Sequence, residues 1–322
     1  MTRIAVIGAG IVGAAIAHYA HRRGADVTLI DPAPPAAGAT GASFGWIGES
    51  VLPGGGVLPA WRHLEETVPG IHVSWTGSLT WPGTPDDHGD HGEHIDTAAI
   101  TALEPRLRNP PPSGVYRASD GAVDPNAATT ALTAAVTKLT AAVTAVHHHS
   151  VETTAGPIPA DTTVIAAGTA TPGLSGTTLP IDASPAALVR YDAPPGLINT
   201  VISGPVLEIR QTSDGRLLAP AACSPHPTQA ELNDIARRTT HAINETFDGA
   251  DTIHLRGVEV GNRPMPTDGK PVIGPLATGL YVAVMHSGVT LAPLVARLVT
   301  QEILDQRQAP ELAGCRPARF PA

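Results

Sequence analysis

The chain opens on a pattern that few folds can accommodate. Ile4-Ala-Val-Ile7 is a four-residue apolar run, then come Gly8, Gly10 and Gly13, and an apolar segment continues to Arg23. A short, uniformly apolar run is the signature of a parallel strand buried on both faces. Gly8 permits the sharp turn out of it, Gly10 admits a pyrophosphate close to the backbone, and Gly13 lets the next helix press on the strand. That helix start, with Ala9, Ile11 and Val12 between the glycines, offers unbonded N–H groups and a positive dipole end. The next apolar run, from Val27, ends at Asp31, followed by Pro32. Asp31 lies about twenty residues on, where a carboxylate can take both ribose hydroxyls. Close helix packing alone would account for the glycines but leaves Asp31 unexplained. The stretch therefore reads as a dinucleotide site.

Charge and cysteine usage narrow the partners. A formal charge of −9 offers no basic stripe to neutralise phosphates, so a nucleic-acid partner is not expected. Only Cys223 and Cys315 are present, far apart, which implies no disulfide framework and fits a reducing cytoplasm. The apolar start reads as a retained nucleotide strand rather than a leader, given its glycine spacing and Asp31. No other run is long enough for a membrane span, so no membrane partner is expected.

Further along, 40–48 is rich in small residues that let backbone approach a flat or charged ligand, although an ordinary surface loop would look the same. The spacing predicts a helix over 58–68, a strand over 75–81 and a helix over 126–142. Strands are expected at 143–146, 163–169, 188–191, 206–211 and 216–219, the last two joined at Asp214-Gly215. A helix over 228–247, a strand over 253–260 and a strand over 280–284 follow. The final helix opens at Met285-His-Ser-Gly-Val-Thr290. Small residues at its start repeat the logic of the first helix and make a second anion site. His88, His91 and His94 recur at i, i+3 and i+6, but in a glycine-broken acidic loop without apolar support, so they read as a solvated loop. His147-His-His149 points to different faces and suits no single ion; no metal is expected.

Four blocks in this order resemble the D-amino-acid oxidase, glycine oxidase and sarcosine oxidase family of flavoproteins. They are Gly8-Ala-Gly-Ile-Val-Gly13 with Asp31, Gly41-Ala-Ser-Phe-Gly45, Val164-Ile-Ala-Ala-Gly168, and Arg263-Pro-Met-Pro-Thr-Asp-Gly-Lys-Pro-Val-Ile-Gly274 with His286-Ser-Gly-Val-Thr-Leu-Ala-Pro293. The resemblance implies FAD, and an α/β fold: a Rossmann-like FAD-binding domain with a second mixed-sheet α+β substrate domain, discontinuous in sequence. The division it implies is 1–68, 98–182 and 254–322 for the FAD domain, and 69–97 and 183–253 for the substrate domain.

Carried over by position, Gly8 to Gly13 hold the pyrophosphate and Asp31 the adenosine ribose. Thr40, Ser43, Gly45, Trp46 and Ile47 run along the phosphate and flavin edge. Val143 meets the adenine, and Ala167 and Gly168 line the cofactor. Ser287, Gly288, Val289 and Thr290 face the pyrimidine end, where a helix start would stabilise the anionic reduced flavin. Arg263, His286 and Trp46 are the candidates on the reacting side. Arg263 matches the family's carboxylate-clamping arginine, and a guanidinium fork suits a planar carboxylate. On the residues alone, an arginine before proline at a strand end reads as a surface ion pair. His286 is expected to tune or support the flavin rather than act as a base.

The expected chemistry is oxidation of a C–N bond in an amino acid or related amine acid, by hydride transfer to flavin N5. The electron acceptor, oxygen or another, is left open. A pathway dehydrogenase and an FAD-retaining subunit without turnover are the alternatives, and an NAD enzyme fits Asp31 but not the C-terminal block. Met285 replaces a usual glycine, no cysteine lies in 263–274, and the chain is short around 140–159. These departures imply non-covalent FAD and an altered substrate pocket, with Tyr191, Trp46, Trp75 and Trp81 the aromatic candidates near the flavin.

Overall fold

The apolar run at the start forms the strand Arg3–Ile7, buried from Ile4 onward. In the computed structural model, which describes residues 1–49, 52, 55–81 and 92–320, this strand lies in the middle of a six-stranded sheet. Asp26–Asp31 pairs parallel on one side and Thr162–Ile165 parallel on the other. Thr137–Thr140 extends the sheet beyond Asp26–Asp31, and Leu280–Val284 extends it beyond Thr162–Ile165, both parallel. Val272–Ala277 closes that edge antiparallel to Leu280–Val284.

Helices Ile11–Arg22 and Gly288–Asp305 pack on each other and on one face of this sheet. Their Ala14, Ala15, Ile16, Leu291, Val295 and Val299 are all essentially inaccessible. A three-stranded antiparallel sheet, Val143–Val146, Ser150–Thr153 and Gly156–Pro159, covers the other face through Val151, Ala5, Ile7 and Ile165. The parallel strands thus need apolar residues at every position, as read from Ile4 to Ile7.

An eight-stranded sheet makes the second layer system, in the order His254–Pro266, Ile181–Asp192, Arg216–Ala222, Glu208–Gln211, Val201–Ser203, Ser78–Thr80, Ser113–Arg117, Glu93–Asp96. It is mixed, since Val201–Ser203 and Ser78–Thr80 run parallel while the other pairs are antiparallel. Helix Gln229–Thr246 covers one face with Ile235, Ala236 and Ile243 over Val189, Ile209 and Leu217. The opposite face is turned to the segment around Gly41 and Phe44, which Arg190 and Arg210 reach.

Three sequence expectations change. The helix from 126 stops at Leu132, where Pro125–Leu132 ends, and Thr137–Thr140 becomes an edge strand beside Asp26–Asp31. Val136, Thr137 and Thr140 are β-branched, and an open sheet edge rewards them more than a helix does. The strand over 75–81 is split at Gly77, whose φ of 77° turns the chain between Val73–Ser74 and Ser78–Thr80. The segment 254–266, allotted above to the nucleotide domain, hydrogen-bonds along its length to Ile181–Asp192 in the second sheet. Ser113–Arg117 also lies in that sheet. His88 and His91 fall outside the described residues, while His94 sits on the exposed strand Glu93–Asp96. Among the described residues, no helix is long and apolar enough to cross a membrane.

Candidate active site

The glycine-rich turn after the first strand is shaped by its backbone. Gly8 has φ 105°, and a Cβ there would stand 2.4 Å from Ala166 O. A Cβ on Gly13 would stand 1.9 Å from Gly8 O, so only glycine lets the first helix sit this close to the strand–helix turn. The Ile11 amide donates to Thr40 Oγ1 at 3.1 Å, and no side chain caps the helix from its N-cap residue, Gly10. Asp31 ends its strand half-buried, accepting from the Ala9 amide at 2.7 Å and from the Ala33 amide at 2.8 Å. A carboxylate has about four acceptor positions, so two stay available to a diol. Pro32 is exposed beside it. Val143 packs against the far side of the same sheet, near Ala5, Ile30 and Ala141.

The second helix start meets the first. A Cβ on Gly288 would stand 3.3 Å from Val12 Cγ2. Ser287 is the N-cap residue of Gly288–Asp305 and makes no side-chain cap, leaving first-turn amides such as those of Val289 and Thr290 directed out of the helix end. Thr290 Oγ1 donates to Trp46 O at 3.0 Å, which ties this helix to the strand Trp46–Ile47. His286 and Ser287 are exposed, and Met285 is buried in the core beneath the helices. The methionine that departs from the family pattern is thus absorbed by packing. Ala167 is half-buried, and a Cβ on Gly168 (φ 56°) would meet nothing within 4 Å.

The segment 40–47 joins the two sheets. Gly45 has φ 76°, its Cβ position would stand 2.3 Å from Val123 O, and its amide donates to Ser43 Oγ at 3.3 Å. Ile47 is fully buried. The Trp46 indole donates to buried Asp120 at 3.1 Å, which also accepts from Ser78 Oγ at 2.7 Å. Two arginines of the second sheet hold this segment. Arg210 Nε donates to Phe44 O at 2.6 Å and its Nη2 to Val123 O at 2.9 Å. Burial pulls the Arg210 guanidinium down to about 10. Arg190 donates to Gly41 O at 2.7 Å and pairs with Glu259.

Arg263 lies on the edge strand opposite Ser184. Its Nε donates to Ser184 O at 3.2 Å and its Nη2 to Ser184 Oγ at 2.9 Å. The face it occupies follows from strand alternation. Glu259 and Gly261 share that face; Glu259 meets Arg190, and a Cβ on Gly261 would stand 3.0 Å from Ala42 Cβ. Arg263 therefore projects toward the first domain. Of the aromatic candidates only Trp46 stands at this junction. Tyr191 is fully buried on the opposite face, its hydroxyl against Ala236 O and Thr240. Trp81 packs in that same core, and Trp75 donates to Glu65 in the first domain.

Glu208 is the group that reading the sequence missed. It shares a strand with Arg210, and burial raises its carboxyl to about 7, against the opposing pull of Arg263. The available signal was charge alternation, Glu208-Ile-Arg210, in a strand whose register the Asp214-Gly215 hairpin anchors.

A glycine-lined helix start beside a second helix start, with a mixed sheet that bonds the segment between them, fits a nucleotide-dependent oxidoreductase. A family model described as FAD dependent oxidoreductase (DAO) matches residues 3–302. The chain belongs to this family and is an FAD-dependent oxidoreductase. It is 25% identical to a glycine oxidase of Geobacillus kaustophilus (strain HTA426), over 96% of this chain and 95% of that protein. The crystal structure of glycine oxidase from Geobacillus kaustophilus has the same fold, with TM-score 0.82 and 21% identity over 100% of both chains. An L-amino acid deaminase from Proteus vulgaris, with its specific insertion sequence deleted, superposes with TM-score 0.86 at 17% identity, covering 98% of this chain and 93% of that one.

The residues present fit FAD. Gly10 and Gly168 leave open backbone where side chains would intrude, since a Cβ on Gly10 meets only Thr40 Oγ1, at 3.1 Å. Two helix starts, the first with its Ile11 amide bonded to Thr40 Oγ1, supply further donors and positive dipole ends for an anion, and Asp31 keeps acceptor capacity for a ribose.

Proposed function

We propose that the protein oxidises the C–N bond of an amino acid or related amine acid to an imine. The arrangement that carries this reading is Arg263, held in place by Ser184 and projecting from the second sheet toward the 40–47 segment. A guanidinium so placed binds a planar carboxylate and turns the substrate's α-carbon toward the cofactor crevice. Bound FAD supplies the acceptor for a hydride leaving the carbon that bears nitrogen.

The chain's own parts divide the work. Gly8 to Gly13 and Asp31 hold the nucleotide end, and the 40–47 segment lies along the cofactor. The Val289 and Thr290 amides support negative charge at its pyrimidine end. His286 and Trp46 would border that end, Trp46 fixed through Asp120. The second sheet excludes water over the reacting carbon. With no cysteine in 263–274, FAD is held without a covalent bond, and acid precipitation releases it into the supernatant.

The deciding experiment is the visible spectrum of the holoprotein before and after anaerobic addition of amino acids and N-methylated amine acids. Bleaching by one of them supports the reading; full colour against the whole panel overturns it. The same substrate assayed for peroxide and for reduction of an artificial dye separates an oxidase from a dehydrogenase.

A further inference from the structure

Glu208 lies on the face of the second sheet that Arg263 also occupies. Its strand, Glu208–Gln211, pairs with Val201–Ser203 through Ile202 opposite Ile209 and Ser203 opposite Glu208. Ile209 is fully buried in the core under the helix Gln229–Thr246. Alternation therefore sends Glu208 and Arg210 to the other face. Arg210 identifies what that face looks onto, because its guanidinium reaches Phe44 O and Val123 O in the cofactor-side segments.

The Glu208 carboxylate is partly buried, and no side chain or backbone group among the described residues donates a hydrogen bond to it. Its neighbours have committed their donors elsewhere, Arg210 to the two carbonyls and Arg263 to Ser184. The Arg263 charge opposes the rise of the Glu208 carboxyl, yet among the described residues the two form no ion pair. The other charged groups on this face are Arg190 with Glu259, and Arg117 beside Thr80. Cys223, at the end of the adjoining strand, is raised by burial and by Glu231. None of these neutralises Glu208. A guanidinium and a carboxylate on one wall, not paired with each other, offer each end of a zwitterion a partner of opposite charge. A half-buried acid left without donors costs stability unless something cationic fills the gap.

We propose that Glu208 receives the substrate's ammonium group and takes one of its protons. This rests on the amine-acid reading above. An N–H bond of the ammonium breaks, its electron pair stays on nitrogen, and the proton forms an O–H bond on a Glu208 carboxylate oxygen. The amine becomes neutral, the form from which hydride can leave the adjacent carbon. Arg263 holds the carboxylate end throughout. A carboxylate titrating near neutrality suits this exchange better than an ordinary surface glutamate.

The test uses FAD-loaded wild type, Glu208→Gln, Glu208→Asp and Arg263→Ala. One readout is the pH profile of kcat/KM for the best amine acid of the panel. The other is the spectral perturbation of bound FAD titrated with acetate, a carboxylate that lacks the amine. The expected result is a wild-type profile with a rising limb near pH 7 that Glu208→Gln loses. In that variant kcat/KM falls at least tenfold, while acetate affinity stays within twofold. Glu208→Asp restores the limb in part, and Arg263→Ala loses acetate binding. A Glu208→Gln enzyme that keeps the wild-type limb and kcat/KM overturns the assignment of Glu208 alone. If no amine acid reduces the wild type and acetate leaves its spectrum unchanged, the substrate reading falls and this proposal with it.

Discussion

The two sides of the proposed cofactor site are built by opposite means. The nucleotide side is backbone: glycines at 8, 10 and 13, helix amides, and one carboxylate, Asp31, that itself accepts two main-chain amides. The second-sheet side is side chain: Arg190, Arg210, Glu208 and Arg263 project from alternating positions of three strands, and Arg190 and Arg210 bond the 40–47 segment. Backbone recognition tolerates no added atoms but needs no particular side chains. Side-chain recognition tolerates sequence change elsewhere, but depends on register, which one slipped residue would invert. The first should therefore fail sharply under small-to-large substitution, and the second gradually, one contact at a time.

Gly13→Val gives the largest expected effect. Its Cβ alone would overlap Gly8 O at 1.9 Å, and the helix Ile11–Arg22 cannot withdraw without unpacking from Gly288–Asp305. Destabilisation of about 4 kcal/mol or more is expected, in the range of overpacking combined with backbone displacement. Thermal denaturation and the flavin absorbance of the purified protein measure it. A stable, fully yellow Gly13→Val protein would break the contrast, since it would show slack where close contact is claimed.

Arg263→Ala comes next and acts on the other side. It should leave the fold and flavin content intact while weakening carboxylate ligands by about 2–4 kcal/mol, the scale of stranding one partner of a charged pair. Acetate titrated against the flavin spectrum reads this directly. Unchanged affinity would mean that the arginine serves Ser184 and the sheet edge, not a ligand.

This asymmetry explains what was legible in the sequence. The first strand, the glycine turn, Asp31 and the final helix start could be read because each is local: neighbours in sequence make the geometry. The edge strand Thr137–Thr140 was misread as helix because alanines and threonines at 126–142 carry no decisive period, and its pairing with Asp26–Asp31 is non-local. Tyr191 was expected near the flavin and lies on the helix-covered face, since nothing in the local sequence states which face of Ile181–Asp192 is which. Glu208 escaped for the same reason. Nothing in its local sequence states which face of the strand it takes; the register with Val201–Ser203 and the path of Arg210 place it on the inner wall.

Arg210→Met sharpens the comparison at intermediate size. Methionine keeps most of the buried stem but donates nothing, so Phe44 O and Val123 O lose their partner. Relief of the buried charge offsets part of that loss, and a net destabilisation of about 2 kcal/mol is expected. Flavin affinity should fall with it, because the 40–47 segment is held from the second sheet. Urea denaturation with and without excess FAD separates the two effects. Equal loss in both conditions would show that Arg210 supports the fold but not the cofactor segment.

The smallest effect tests whether the side-chain wall carries a stability cost that the backbone wall does not. Burial raises the folded Glu208 carboxyl to about 7, while an unfolded glutamate titrates near 4.3. Between those values the folded chain keeps a proton that the unfolded chain releases, so the protein loses stability as pH rises. The contribution is fully present below about pH 4 and gone once pH passes the folded value. Glu208→Gln cannot titrate, so its stability relative to wild type should climb between pH 5 and pH 8. Allowing for partial solvent contact, the rise is about 1–2 kcal/mol. Melting temperatures of both ligand-free proteins across that range measure it, and acetate, which leaves the amine position empty, should not abolish the difference. A flat difference would mean that the Glu208 carboxylate is already solvated, and the contrast between a wall strained for its ligand and a wall at rest would lose its strongest support.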